Sequence, residues 1–205
     1  MRVILKAIFH FLVIIVYRPK VIGKENIPEE GACIICPNHV HALDSAVILT
    51  TAKRKVNFMA KEELFKNGFV RFLAKVFGIF PVKRGGKDLE AIKTSLKILK
   101  KGEILAMFPE GTRNGLARGI KPKNGAVLIA IKAGVPIIPC GVSGSFKPFT
   151  KVTLNYGKPI TFDKNADVQD KEIVNGLTKQ VMDEVVRLKK ECEIQKNKKN
   201  TFVEN

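Results

Sequence analysis

Residues 31–45 read Gly31-Ala32-Cys33-Ile34-Ile35-Cys36-Pro37-Asn38-His39-Val40-His41-Ala42-Leu43-Asp44-Ser45. The run Ala32 to Cys36 has the length and apolar character of a buried strand, and Pro37-Asn38 supplies turn formers at its end. Ser45 to Ala52 then reads as a helix, so the stretch is strand, turn, helix. The same alternation continues along the chain. Strands are predicted at 31–36, 56–60, 79–82, 103–108, 135–141 and 151–156, and helices at 45–52, 67–77, 88–101, 125–133 and about 168–193. This pattern predicts an α/β domain with a central, mostly parallel sheet flanked by helices. In such folds the chemistry gathers at loops leaving the carboxyl ends of strands. Pro136 and Pro139 in the strand at 135–141 predict an edge position or a bulge.

The 205 residues suffice for one domain with a short appendage. With 45% hydrophobic and 27% charged residues, the chain can build a core and is not disordered throughout. The net charge of +17 expects an anionic partner: nucleic acid, an anionic membrane or a phosphorylated substrate. The four cysteines, Cys33, Cys36, Cys140 and Cys192, are too scattered for a disulfide scaffold, and a reducing cytoplasm is the expected compartment. Cys33 and Cys36 have the spacing of a metal pair, but residues three apart on a strand point to opposite faces. No metal site is predicted.

Three segments are expected. Residues 1–19 form an apolar helix, 20–188 the α/β domain, and 189–205 a Lys- and Asn-rich tail that frays. Val3 to Tyr17 would span about 22 Å as a helix, short of a hydrocarbon core of about 30 Å. Lys6, His10 and Tyr17 fall on one stripe of it. A shallow membrane anchor is therefore expected, with Arg18 and Lys20 at anionic headgroups; a helix packed on the domain's own core is the alternative. The stretch 67–77 is also amphipathic and basic.

Two histidines compete for a chemical role, His39 and His41, five and three residues before Asp44. Histidine suits general-base work near neutral pH, and a carboxylate on its other nitrogen would fix its tautomer. On a continuous helix His39 and Asp44 would stand about 140° apart, so their pairing needs His39 in the turn and Asp44 near the helix start. A hydrogen-bonded structural histidine is the competing reading. The strand at 79–82 leads into Lys83-Arg84-Gly85-Gly86, and the strand at 103–108 into Pro109-Glu110-Gly111-Thr112-Arg113. Arginine forks and glycine backbones suit phosphate, so Arg84 and Arg113 form a candidate clamp; solvated surface charge is the bland alternative.

Four blocks in this order resemble the glycerophospholipid acyltransferases, most closely the 1-acylglycerol-3-phosphate (lysophosphatidic acid) acyltransferase family. Asn-His-x4-Asp matches Asn38, His39 and Asp44, which selects His39 over His41. Gly followed six residues later by Arg matches Gly78 and Arg84; Phe-Pro-Glu-Gly-Thr-Arg is complete at 108–113; Val-Pro-Ile-x-Pro matches 135–139. Lys61 to Phe65 is a further familiar stretch. The likeness covers about residues 20–160. Only 37 residues precede Asn38, fewer than in many members, which carry a longer membrane-embedding region.

The resemblance implies acyl transfer from a thioester, acyl-CoA or acyl carrier protein, to the 2-hydroxyl of lysophosphatidic acid, with no cofactor. His39 is the implied base and Asp44 its partner. Arg84 and Arg113, with Lys61 and Lys83, are expected to hold the phosphate. Asn38, Glu110, Gly111 and Thr112 belong to the active-site loops, Glu110 orienting an arginine or the glycerol. Backbone N–H groups or Asn38 are the candidate oxyanion donors. The expected location is the cytoplasmic face of an anionic membrane. An acyltransferase acting on glycerol-3-phosphate or another lysophospholipid is the near rival, a thioesterase a further one. A nucleic-acid binder is disfavoured, because with no Trp and two Tyr there are few stacking platforms.

Overall fold

The computed structural model describes residues 2–83 and 88–201. Seven strands form one sheet: β1 (Lys20–Ile22), β2 (Cys33–Pro37), β3 (Val56–Lys61), β4 (Ile79–Val82), β5 (Ile104–Ala106), β6 (Ile137–Gly144) and β7 (Val152–Tyr156). Their order across the sheet is β1, β7, β6, β2, β5, β3, β4. All neighbours are parallel except β6 and β7, which form an antiparallel pair. One face carries α1 (Arg2–Tyr17) and α2 (Asp44–Thr51); the other carries α4 (Leu89–Lys100), α5 (Gly125–Ala133) and α6 (Lys171–Thr201). Helix α3 (Gly68–Phe77) leads into β4, and Asn67 caps its start by accepting the N–H groups of Phe69 and Val70.

Side-chain alternation on β2 divides the core. Cys33 and Ile35 join the cluster beneath α1 and α2, whereas Ile34 and Cys36 join the cluster beneath α4 to α6. The two cysteines thus stand on opposite faces of the sheet, as strand geometry requires. Burial pushes the Cys33 thiol up to about 11 and the Cys36 thiol higher still, so both are packing groups.

Three sequence expectations are corrected. The proline-bearing strand β6 is central, lying between β7 and β2. Pro139 is tolerated because its carbonyl side faces Gly157, whose N–H it accepts at 2.8 Å, just past the end of β7. The missing proline N–H therefore faces Gly157, just beyond β7, so the ladder loses a bond at its end and none in its middle. Second, β1 was not expected; three residues are too few to declare a period, and they become a strand by pairing with Thr153 to Asn155. Third, the chain does not fray from Lys189. Helix α6 runs to Thr201, and Cys192 is fully buried with Sγ 3.6 Å from the Gly141 carbonyl. Gly141 makes this docking possible. A methyl group there would lie 2.3 Å from the Lys189 amide nitrogen, so only glycine lets α6 press onto β6.

Helix α1 packs one face on the domain's own core and leaves its other faces exposed. Val13 is buried, and Phe9 and Tyr17, four residues to either side, pack with it on the core; Phe9 meets Phe77 at 4.5 Å between ring centroids and Tyr17 meets Phe146 at 5.8 Å. Tyr17 thus leaves the exposed stripe expected for it with Lys6 and His10. The remaining faces expose Ile4, Ile8, Phe11 and Leu12, each more than half accessible. Among the described residues, no helix is long and apolar enough to cross a membrane.

Candidate active site

Strand β2 ends at Pro37, and Asp44 opens α2, so residues 38–43 form the strand-to-helix turn. Within it the chain wraps around the Asp44 carboxylate. One oxygen, Oδ2, accepts the Val40 N–H at 2.7 Å, the His41 N–H at 2.9 Å and the His39 ring at Nδ1, 2.8 Å away. Asp44 is fully buried, whereas the His39 side chain keeps 19% exposure. A carboxylate only accepts, so Nδ1 carries the proton and Nε2 is left with a lone pair. The ring is further fixed by stacking on Phe108, with centroids 4.0 Å apart and planes 23° from parallel. His41 has a different role: its Nδ1 accepts the Leu43 N–H at 3.3 Å, and it stacks on Phe146.

The loop after β5 is bolted to this turn. Glu110 is buried, and its Oε1 accepts the His39 N–H at 2.7 Å while Oε2 accepts the Leu116 N–H at 2.8 Å. The His39 carbonyl accepts the Asn114 N–H at 2.6 Å. Glu110 therefore holds backbone, rather than the arginine or glycerol expected of it. Asn38 is likewise committed. Its Nδ2 donates to the Val142 carbonyl at 2.9 Å and its Oδ1 accepts the Val142 N–H at 2.6 Å, a clip from β2 to β6 that aims it away from an oxyanion role.

The cations stand along the same rim. Arg113 is exposed and precedes Asn114, so it sits one peptide unit from the His39 backbone. Lys61 ends β3 and makes a 2.9 Å ion pair with the exposed Glu63. It stands opposite Val82, which places Lys83 at the next strand end, where its N–H is held by Asp88. With β2, β5, β3 and β4 adjacent and about 4.8 Å apart, Lys61 lies about 10 Å and Lys83 about 14 Å from the His39 strand before side-chain reach is counted. Arg84 lies outside the described residues. Gly111 turns the loop with φ +65°, and a Lys123 side chain lies over it, 2.9 Å from where a Cβ would be.

Sequence reasoning missed two contributors. Phe108 was read only as part of a block, yet it is the platform for the imidazole. Lys123, whose N–H is bound to the Pro109 carbonyl, adds a cation beside the loop; its one local signal was a basic residue just before the helix at 125. Among the described residues, no group of three His, Cys, Asp or Glu side chains could hold a metal ion.

An α/β sheet with a carboxylate-aimed histidine and a cationic rim at its strand ends suits transfer or hydrolysis of an acyl group beside an anion. A family model described as Acyltransferase matches residues 18–143. The chain is 32% identical over 166 residues to the 1-acyl-sn-glycerol-3-phosphate acyltransferase of Bacillus subtilis, covering 78% of this chain and 82% of that protein. A protein of the same description from Borreliella burgdorferi is 33% identical over 121 residues, 58% of this chain and 48% of its own length. The crystal structure of the 1-acyl-sn-glycerophosphate acyltransferase PlsC from Thermotoga maritima superposes with a TM-score of 0.67 at 26% identity, covering 92% of this chain and 81% of that one. The chain belongs to the 1-acylglycerol-3-phosphate acyltransferase family and is an O-acyltransferase.

Proposed function

We propose that the protein transfers a fatty acyl group from acyl-CoA or acyl carrier protein to the sn-2 hydroxyl of 1-acylglycerol-3-phosphate, giving phosphatidic acid. The observation that carries this reading is the 2.8 Å contact between His39 Nδ1 and the buried Asp44 carboxylate. It leaves Nε2 free to take the hydroxyl proton as the oxygen attacks the thioester carbonyl, and Asp44 offsets the charge of the imidazolium. When the tetrahedral intermediate collapses, the C–S bond breaks and the thiolate recovers the proton from Nε2. The balance needs neither metal nor cofactor. General-base help of this kind is worth about 10²–10⁴-fold in rate.

Arg113 and Lys61 are the first choice for the acceptor phosphate, since a glycerol phosphate spans only a few ångströms and both sit near the His39 end of the rim. Lys83 extends the same positive edge; Arg84 joins the proposed phosphate group on its motif alone. The exposed Phe69, Phe72 and Leu64 near β4, with the outer face of α1, support peripheral attachment to the cytoplasmic face of an anionic membrane. The names of the relatives support the acceptor. The test is incubation of purified protein with labelled oleoyl-CoA or oleoyl-acyl carrier protein and lysophosphatidic acid, with lipids separated. Labelled phosphatidic acid is expected; free oleate formed at a rate indifferent to the acceptor would overturn the assignment in favour of a thioesterase. Glycerol-3-phosphate offered in parallel separates the sibling activity.

A further inference from the structure

A groove of about 1100 Å³ runs between the C-terminal half of α1, the end of α2 and the edge strand β1. It is separate from the His39 turn. Thr50 and Thr51 line it at the last turn of α2, whereas Asp44 begins that helix, about 10 Å of helical rise away. Its lining has two characters. Ile14, Ile15 and Phe149 offer exposed apolar surface, Phe149 being 70% accessible. Arg18, Lys24, Lys53 and Lys151 surround them with positive charge, and among the described residues no carboxylate lines the groove. An anionic amphiphile is the ligand class that satisfies both halves.

The backbone at the groove's mouth is held in an unusual form. Arg18 and Phe149 adopt left-handed φ values of 38° and 64°, although neither is glycine. Each is kept there by a hydrogen bond to the end of α1, Arg18 N–H to the Ile14 carbonyl at 2.8 Å and Phe149 N–H to the Val16 carbonyl at 2.7 Å. For Arg18 this is the common left-handed close of a helix, since its N–H makes the last bond of α1. The two turns set one cation and one exposed aromatic ring beside the same groove.

We propose that this groove is a second lipid site, which takes the phosphate-bearing headgroup of an anionic glycerophospholipid among Arg18, Lys24, Lys53 and Lys151 and lays its chains against Ile15 and Phe149. The exposed apolar face of α1 is continuous with it, so lipid can enter laterally from a membrane surface. The inference goes beyond acyl transfer and does not depend on it, because none of these residues has a part in the transfer chemistry. A free phosphate shares the headgroup chemistry but leaves the apolar wall unused. A zwitterionic lipid uses the wall but not the net charge.

The experiment is calorimetric titration of the full chain, in low salt, with dihexanoyl phosphatidylglycerol, dihexanoyl phosphatidylcholine and inorganic phosphate, the lipids kept below their micelle concentrations. Phosphatidylglycerol is expected to bind at least tenfold tighter than either of the others. The exposed triple variant Arg18→Gln, Lys53→Gln, Lys151→Gln should weaken it by at least tenfold and leave transfer in detergent unchanged. The variant Phe149→Ser should weaken the lipid and leave phosphate unaffected. Equal binding of phosphatidylglycerol to wild type and the triple variant overturns the proposal. So does phosphate binding as tightly as the lipid, or phosphatidylcholine matching phosphatidylglycerol. Acyl transfer assayed on the same samples keeps the two readings apart: lipid binding without transfer counts against the proposed function only.

Discussion

Asp44 loads one carboxylate oxygen with three donors, while its other oxygen is buried without a partner among the described residues. Two of the three donors are backbone N–H groups, so the carboxylate keeps its place whichever protonation state His39 adopts. Position and charge can therefore be separated by mutation. Asp44→Asn retains an oxygen for Val40 and His41 but cannot offset an imidazolium. Its turnover should fall by about 10²–10⁴-fold, with the thermal midpoint little changed; turnover within a few-fold of wild type would sink the proposed base pair. Glu110 poses the opposite case. Glu110→Gln sets an amide NH₂ against one of two backbone N–H donors, His39 or Leu116. An unsatisfied buried donor costs about 1–3 kcal/mol, so this variant should lose that much stability in chemical denaturation. Its activity should fall only through displacement of His39, and rate loss without any stability loss would assign Glu110 to the chemistry instead.

Among the elements, the contact of α6 with β6 is the one most dependent on a single residue. Gly141→Ala would put a methyl group 2.3 Å from the Lys189 nitrogen and 2.4 Å from the Leu188 carbonyl carbon, which are backbone atoms that cannot swing aside. Overpacking of this kind costs about 1–3 kcal/mol or more, expected as a lower urea midpoint with the slope unchanged. A midpoint equal to wild type would mean that α6 rides off the sheet without loss. The same contact explains what sequence could not supply. The region from Lys189 looks polar and aperiodic on its own, and what ties it down is tertiary: the buried Cys192, the bond from Asn155 to Glu191, 2.9 Å, and the bond from Lys20 to Gln195. The alternation of strands and helices was legible because each element carries its own period, and Cys33 and Cys36 separated as a strand demands. His39 and Asp44 were legible as a pair through their motif. Glu110's partners were not, since they are backbone groups up to 71 residues away, to which side-chain pattern is blind.

At the scale of the whole molecule, a charge of +17 and a rim of exposed apolar residues would act on the same surface in different ways. Attraction of basic groups to anionic lipid fades over a Debye length, about 8 Å at physiological salt, and shorter as salt rises. Insertion of Phe69, 69% exposed, and Phe72, 44% exposed, is indifferent to salt, and each ring fully buried is worth about 1.5–3 kcal/mol. Both rings sit in the first turns of α3, which follows the Lys61 end of β3 before the chain returns to the start of β4, so their insertion would bring the Lys61 end of the rim towards the lipid surface. Vesicle co-sedimentation can divide the two contributions. On vesicles rich in phosphatidylglycerol, wild type should bind more weakly as salt rises but reach a plateau above zero. Phe69→Ser with Phe72→Ser should keep the salt dependence and lose the plateau, by more than tenfold in partition. Transfer to lysophosphatidic acid presented in vesicles should fall with it, while transfer to the same acceptor in detergent should not. If the double variant keeps its high-salt binding, α3 is not the inserting element, and the apolar face of α1 must carry attachment alone.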